Sequence, residues 1–262
     1  MKKNIFTLLF SLPLLFSCSD VIPEGERYEE LTQIEPKRNI LIEDFTGQNC
    51  TNCPKAHKVI ADLQELYGNY IVAVAIHADL GSGMFGIAED NDDNIVGLMQ
   101  PEGDLYAAHW GVRSLPSGLI NRTSGLIKHT EWAAYSRQAF AKESQADIEL
   151  TTEIVDGDIA IRTEVQSTTL LKGKLQLWIT ESNITAQQEN GGTHDNNYIH
   201  HHVYRTSVNG IWGEEIVLTT DSPTVCQHTI ALRDNWDTAN LSVVAFVYTD
   251  TDGVLGVVEQ HL

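Results

Sequence analysis

The chain has 262 residues, 36 Asp and Glu against 17 Lys and Arg, a formal net charge of −19, and 42% hydrophobic residues. So acidic a chain excludes nucleic acid as a partner, because that binding asks for a basic patch, and it excludes polybasic docking on anionic lipid. The charge reads as a well-solvated surface rather than a cation-binding one, and the length exceeds one average domain, so two are expected.

The first element is a targeting segment. Met1-Lys2-Lys3 is a positive start, residues 5–16 are apolar except for Thr7, Ser11 and Pro13, and the run ends at Leu15-Phe16-Ser17-Cys18. The run falls short of the ~20 residues of a membrane-spanning helix. Residues 1–17 therefore read as a signal peptide with a lipoprotein cleavage box, and the mature chain starts at a lipidated Cys18. An ordinary signal peptide with a chance cysteine is the alternative. More than one acyl chain on Cys18 would anchor the protein stably to a membrane. Residues 18–36, with Pro23, Gly25, Pro36 and many charges, read as a tether.

Residues 38–45 are apolar-rich and predict a buried strand, followed by the loop Thr46-Gly47-Gln48-Asn49. Residues 54–66 predict a helix. Ala56, Val59, Ile60, Leu63 and Leu66 recur at three- and four-residue steps, Pro54 suits the first turn, and Gly68 is the stop. Residues 70–76 are a second apolar strand. Residues 77–105 form a long polar insertion with the acidic run Glu89–Asp93, and 111–121 are strand-like around Pro116. Thr130 is expected to cap a helix reaching about Lys142, with Trp132, Ala133, Ser136, Ala139 and Phe140 inward. From Ala146 the texture changes to short alternating strands at 148–154, 159–165, 175–180, 215–218, 224–232, 241–249 and 254–260, the pattern of a β-sandwich. The boundary falls near residue 145, with an Asn/Gly-rich loop at 187–197.

Of four cysteines, Cys18 takes the lipid, Cys50 and Cys53 form a C-x-x-C pair, and Cys226 has no evident partner and reads as a buried thiol. Export permits a Cys50–Cys53 disulfide. The order strand, loop, C-x-x-C, helix puts Cys50 near a helix N-terminus, which stabilises a thiolate, the nucleophile of disulfide exchange. Cys53, one turn on, is placed to resolve a mixed disulfide. Half a zinc site is the alternative, with His57 the near histidine and no second C-x-x-C. His200-His201-His202 reads as an exposed strand edge, His200 and His202 on one face, rather than a metal site lacking its third ligand. Asp250-Thr251-Asp252-Gly253 reads as a hairpin turn, and Glu89–Asp93 as a solvated loop, rather than as calcium loops. No metal or cofactor is expected.

The strand–loop–C-x-x-C–helix segment resembles the thioredoxin superfamily, as does Gly111-Val112-Arg113-Ser114-Leu115-Pro116-Ser117. That resemblance implies a proton-managing role for Asp44, six residues before Cys50, and a cis Pro116 facing the pair and shaping a substrate groove. The sequence departs from the pattern in having Asn49 before the pair and Thr51-Asn52 within it. Over both halves the chain resembles the Bacteroidetes 28-kilodalton outer-membrane lipoproteins. The residues that carry this are the Cys18 box, the segment Leu41 to Cys50, Cys53-Pro54, the segment Pro116 to Arg122, and His202-Val203-Tyr204-Arg205. The resemblance implies a thioredoxin-like α/β domain (37–145) followed by an immunoglobulin-like, all-β sandwich (146–262), at the outer membrane. The expected activity is thiol–disulfide exchange with envelope proteins bearing thiols or disulfides, through Cys50, Cys53, Asp44 and Pro116. The rival is a surface binding or adhesion module with an unknown ligand, in which Cys50–Cys53 is a structural bridge and loop 187–197 a candidate contact.

Overall fold

In a computed structural model, residues 34–89, 91 and 95–262 are described. The signal peptide, Cys18, most of the tether, and Asp90, Asp92 and Asp93 of the acidic run lie outside the described residues. A fully buried apolar run, β1 (Ile40–Thr46), pairs in parallel with β2 (Ile71–His77). Parallel neighbours need a crossover, and α1 (Cys53–Tyr67) supplies it, with Pro54 in its first turn and Gly68 ending it at φ 58°. The buried stripe of α1 is Ala56, Ile60, Leu63 and Tyr67. Leu66, expected inward, is exposed, because the four-residue step from Leu63 lands on Tyr67.

The polar insertion ends in a helix the periodicity did not mark, α2 (Pro101–Trp110), with Pro101 at its start and Glu102 and Asp104 in its first turn, where acids suit the helix dipole. β3 (Ser117–Ile120) runs antiparallel to β1. A 3-10 turn, His129–Glu131, precedes α3 (Trp132–Phe140), so Thr130 lies within that turn and no side chain caps the helix. Ala133 faces outward.

Ten strands follow: β4 (Ala146–Val155), β5 (Asp158–Ser167), β6 (Leu171–Glu181), β7 (Ile184–Asn190), β8 (Thr193–His200), β9 (Val203–Ser207), β10 (Glu214–Leu218), β11 (Thr224–Ala231), β12 (Leu241–Thr249) and β13 (Gly253–His261). The expected loop at 187–197 is instead the hairpin β7–β8, turning at Gly191 and Gly192, both with positive φ. Its strands are polar because it packs over loops through side-chain amides, so apolar alternation gave no sign of it.

The main sheet has the order β13-β12-β6-β9-β2-β1-β3, with β10 also on β6, beside a three-stranded sheet β11-β5-β4 and the pair β7-β8. The fold is thus mixed α/β, mostly strand with few helices. Residues 34–262 form one compact unit, and β9, from the second half, sits beside β2, from the first. Both faces of the main sheet are buried. Leu41, Phe45, Val72, Val74 and Ile76 share one cluster with Tyr106, Trp178, Tyr204 and Phe246. Ile40, Ile42, Ile71 and Ala73 meet α1 and α3 on the other face. Odd positions of β6 and β12, such as Leu177 and Ala245, pack with Ile159, Ile161 and Val165 of the three-stranded sheet.

Candidate functional site

β1 delivers the chain into a tight loop. The Cys50 amide donates to Gly47 O at 3.1 Å and the Cys53 amide to Cys50 O at 3.2 Å. Cys50 and Cys53 form a disulfide at the start of α1, with Cα atoms 5.5 Å apart. Glycine is required at 47 by close approach: a Cβ there would meet Phe85 O at 2.7 Å and Leu115 Cδ1 at 3.2 Å. The Leu115–Pro116 bond is cis. Phe45 pairs with Ser117 across β1 and β3, so Pro116 lies alongside the loop that carries the cysteines.

Two neighbours cover that loop. The Asn49 amide donates to Phe85 O at 3.0 Å, bringing in the insertion. From the hairpin, the buried Gln188 side chain donates to Gly47 O and Cys50 O, each at 3.2 Å. Buried Gln48 clamps both neighbours: Nε2 donates to Val96 O and Gln187 O, while Oε1 accepts the Leu98 amide at 2.9 Å. Cys50 is left 2% exposed and Cys53 wholly buried.

Side chains alternate along a strand, so Glu43 and Asp44 go to opposite faces of β1. Glu43 takes a bidentate pair from Arg122 at 2.9 and 2.8 Å, and the guanidinium lies 4.4 Å from the Tyr248 ring centroid and 4.8 Å from that of Phe246. Asp44 faces α1, fully buried, with neither carboxylate oxygen hydrogen-bonded, and burial pushes its carboxyl well above the usual range. His57 Nε2 is 3.6 Å from Asp44 Oδ2. The same ring bonds Thr46 Oγ1 at 2.9 Å and the Tyr198 hydroxyl at 2.8 Å.

On the same face, β2 contributes Ala73, Ala75 and His77, and the small alanines leave space. The result is a cavity of about 440 Å³ lined by Asp44, His57, His77, Tyr198, His200 and His202, among others. His200 is buried, with its ring centroid 5.5 Å from His77 and 6.2 Å from His57. This corrects the expected exposed edge: β8 ends at His200, and His202 takes φ 56°, which breaks the two-residue alternation. Burial, then His200 and His201, lowers the His57 imidazole to about 3. Burial lowers His200 and His202 to about 4 and puts His77 well below its ordinary value. All four are neutral at pH 7. Sequence reading singled out His57 only as a neighbour of the cysteines and passed over His77. The signal for His77 was the alternation Ile71, Ala73, Ala75, His77, which gives it the face of α1.

Elsewhere, Glu89 pairs with Arg205 and accepts from Asn235 and Gln100, so it is committed to packing. Asp252 closes the β12–β13 turn by accepting from Thr249 and Thr251. Cys226 is free and only partly buried. Among the described residues, no group of three or more His, Cys, Asp or Glu stands close enough to hold a metal ion.

The sequence profile described as "Outer membrane protein Omp28" matches residues 103–262. No curated protein matches the chain. Among solved structures, HBP35 of Porphyromonas gingivalis is similar at 14% identity, covering 87% of this chain and 76% of that one, with a TM-score of 0.68. Protein AGR_C_4864 from Agrobacterium tumefaciens is similar at 12% identity, over 86% of this chain and 95% of that one, with a TM-score of 0.55. A domain of the outer membrane lipoprotein Omp28 from Porphyromonas gingivalis is 27% identical, over 45% of this chain and 88% of that one, with a TM-score of 0.34. The likeness to the first two is one of fold.

Proposed function

The chain belongs to the Omp28 family of outer-membrane proteins, and on that premise we propose that it carries out thiol–disulfide exchange in the cell envelope through a pair gated by the β7–β8 hairpin. It is an outer-membrane protein, and among the described residues no helix is long and apolar enough to cross a membrane. Its anchor in this reading is the lipid on Cys18. In this reading residues 37–145 take a thioredoxin-like arrangement and 146–262 an immunoglobulin-like one, the two packed together within the single compact unit of residues 34–262.

One observation carries the proposal: a closed Cys50–Cys53 disulfide at the start of α1, with the buried, unpartnered carboxyl of Asp44 on the preceding strand. The family match begins at residue 103, after the pair, so the redox reading rests on this geometry. In the reduced protein, the Cys50 thiolate attacks a substrate disulfide, forming a mixed disulfide and releasing one substrate thiolate. Cys53 then attacks Cys50, restoring the closed pair and releasing the second. Asp44 takes up the proton that Cys53 gives up, and Pro116 positions substrate backbone. The hairpin must lift for Cys50 to reach a protein partner.

The test is insulin reduction by the purified protein against Cys50→Ser. Wild type is expected well above the variant, and equal background rates would sink the proposal. The burial of both sulfurs favours a second reading, a surface binding module braced by a structural bridge. A reduction potential below about −300 mV supports that bridge, whereas one between about −120 and −270 mV supports exchange.

A further inference from the structure

A second cavity, of about 380 Å³, opens at the C-terminal end of α2, within the range of small-molecule sites, about 300–1,000 Å³. Its walls are the half-buried Trp110 and Trp212 and the ring of Tyr248. His109 bridges the two indoles, its ring centroid 5.0 Å from that of Trp110 and 4.3 Å from that of Trp212. Lys174 and Asp250 form the open rim, with Nζ 3.8 Å from Oδ1. Buried Arg122 also lines the cavity, its backbone in the left-handed region at φ 58°. Backbone strain of that kind costs roughly 1–3 kcal/mol and gathers at binding sites. We propose that this pocket binds an uncharged sugar ring.

The chemistry of the lining selects that class. Its charges are matched in pairs: Arg122 with Glu43, and Lys174 with Asp250. A charged ligand would therefore meet no spare counter-charge. Two buried donors remain unspent, Nη1 of Arg122 and Nε1 of Trp110. Neither side chain can accept a hydrogen bond, and a buried donor without a partner costs about 1–3 kcal/mol. The occupant must therefore bring acceptors, and a hydrocarbon would leave both donors unpaired. Asp250, at the rim, asks in turn for a donor. A sugar hydroxyl both donates and accepts. The walls ask for a flat, apolar face, and the ring C–H bonds of a pyranose, positive at hydrogen, suit the negative face of an aromatic ring. The cavity shares Lys174, Tyr248, Thr249 and Asp250 with a neighbouring one of about 410 Å³, which leaves room for a second ring beyond the rim.

The test is calorimetric titration of the purified full-length protein with glucose, galactose and mannose, and with the methyl glycoside of each. At least one is expected to bind saturably, one per chain, and to change the tryptophan emission, since two of the chain's five tryptophans form the walls. Trp212→Ala should weaken binding about tenfold, the factor for ~1.4 kcal/mol. Lys174→Met and Asp250→Asn should also weaken it, and both lie on the open rim, so the result holds even where the tryptophan variant folds poorly. His194→Ala, on the exposed hairpin, should leave it unchanged. Methyl glycosides that bind as tightly as the free sugars place the ligand at the end of a glycan, whereas binding of free sugars alone identifies a free monosaccharide. Absence of saturable binding, binding unchanged in both rim variants, or tighter binding of benzoate than of any sugar would overturn the proposal, the last by assigning the pocket to an aromatic anion. The readout does not involve disulfide exchange, so it stands or falls separately from that activity.

Discussion

Adjacent residues on β1 have opposite situations. Glu43 is buried with a bidentate partner, and Asp44 is buried without a hydrogen bond, 3.6 Å from His57 Nε2. Removing one member of a buried ion pair strands the other and costs roughly 3–5 kcal/mol, while replacing both by apolar groups is often near neutral. Arg122→Met is therefore expected to lower unfolding free energy by about that amount in urea titration, and Glu43→Leu with Arg122→Met to recover most of it. A double variant as unstable as the single one would point to the aromatic cage around the guanidinium as the main loss. On the other face, His57 and His200 are held neutral at about 3 and about 4. A folded value below the unfolded ~6.5 means the unfolded chain binds more protons between those limits. Their contribution is complete above pH 6.5 and is lost as pH falls towards 4. The raised carboxyl of Asp44 pulls the other way, so the comparison has to isolate one histidine. Wild type should lose melting temperature more steeply than His200→Gln between pH 7 and 4.5. Parallel curves would show that His200 accepts its proton within the fold.

At the scale of elements, the hairpin β7–β8 decides whether the disulfide can be reached. Gln188 donates to carbonyls on both sides of the cysteine loop, and a buried hydrogen bond contributes about 1 kcal/mol or somewhat more. If lifting the hairpin limits access, Gln188→Ala should speed reduction of Cys50–Cys53 by dithiothreitol about tenfold, the factor for ~1.4 kcal/mol. An unchanged rate would mean that the hairpin is no barrier. The sequence left this element hidden for a physical reason. β1, α1 and β2 announce themselves because each buries apolar residues at its own period, and β12 and β13 do so as long apolar runs. The strands β7 and β8 bury chiefly Ala186, Gln188 and His200, and an amide or an imidazole on an inward face looks like loop chemistry in a linear reading. The α2 helix was obscured in the same way: its buried residues are Gly103, Tyr106 and Ala107, of which Tyr106 alone is large, and Leu105 and Ala108 on either side are exposed. The cysteines and Pro116 were legible from local motifs. The histidine cavity was not, because it joins β2, α1 and the end of β8 across more than 120 positions of sequence.

For the whole molecule, the change in texture at residue 145 marks where the helices end, since α3 closes at Phe140 and β4 opens at Ala146. The packing runs across that point. β2 has β9 as its outer neighbour, and the cluster on its inner face is closed by Trp178, Tyr204 and Phe246 from beyond the change. Arg122, from the first half, lies against Phe246 and Tyr248 of β12. Independent domains each hold a complete core, whereas a first half cut at 145 would expose one face of β1 and β2 and the edge of β2. Exposed sheet edges and apolar faces invite association. The expected result is one cooperative unfolding transition in urea, with tryptophan fluorescence and far-ultraviolet circular dichroism coinciding. A fragment of residues 34–145 should fail to give a cooperative transition of its own. Two separated transitions, or a fragment that unfolds sharply, would show that the halves are energetically independent. The shared cluster would then be an interface formed after folding, and the hairpin could be displaced from the cysteines without disturbing the sheet that carries them.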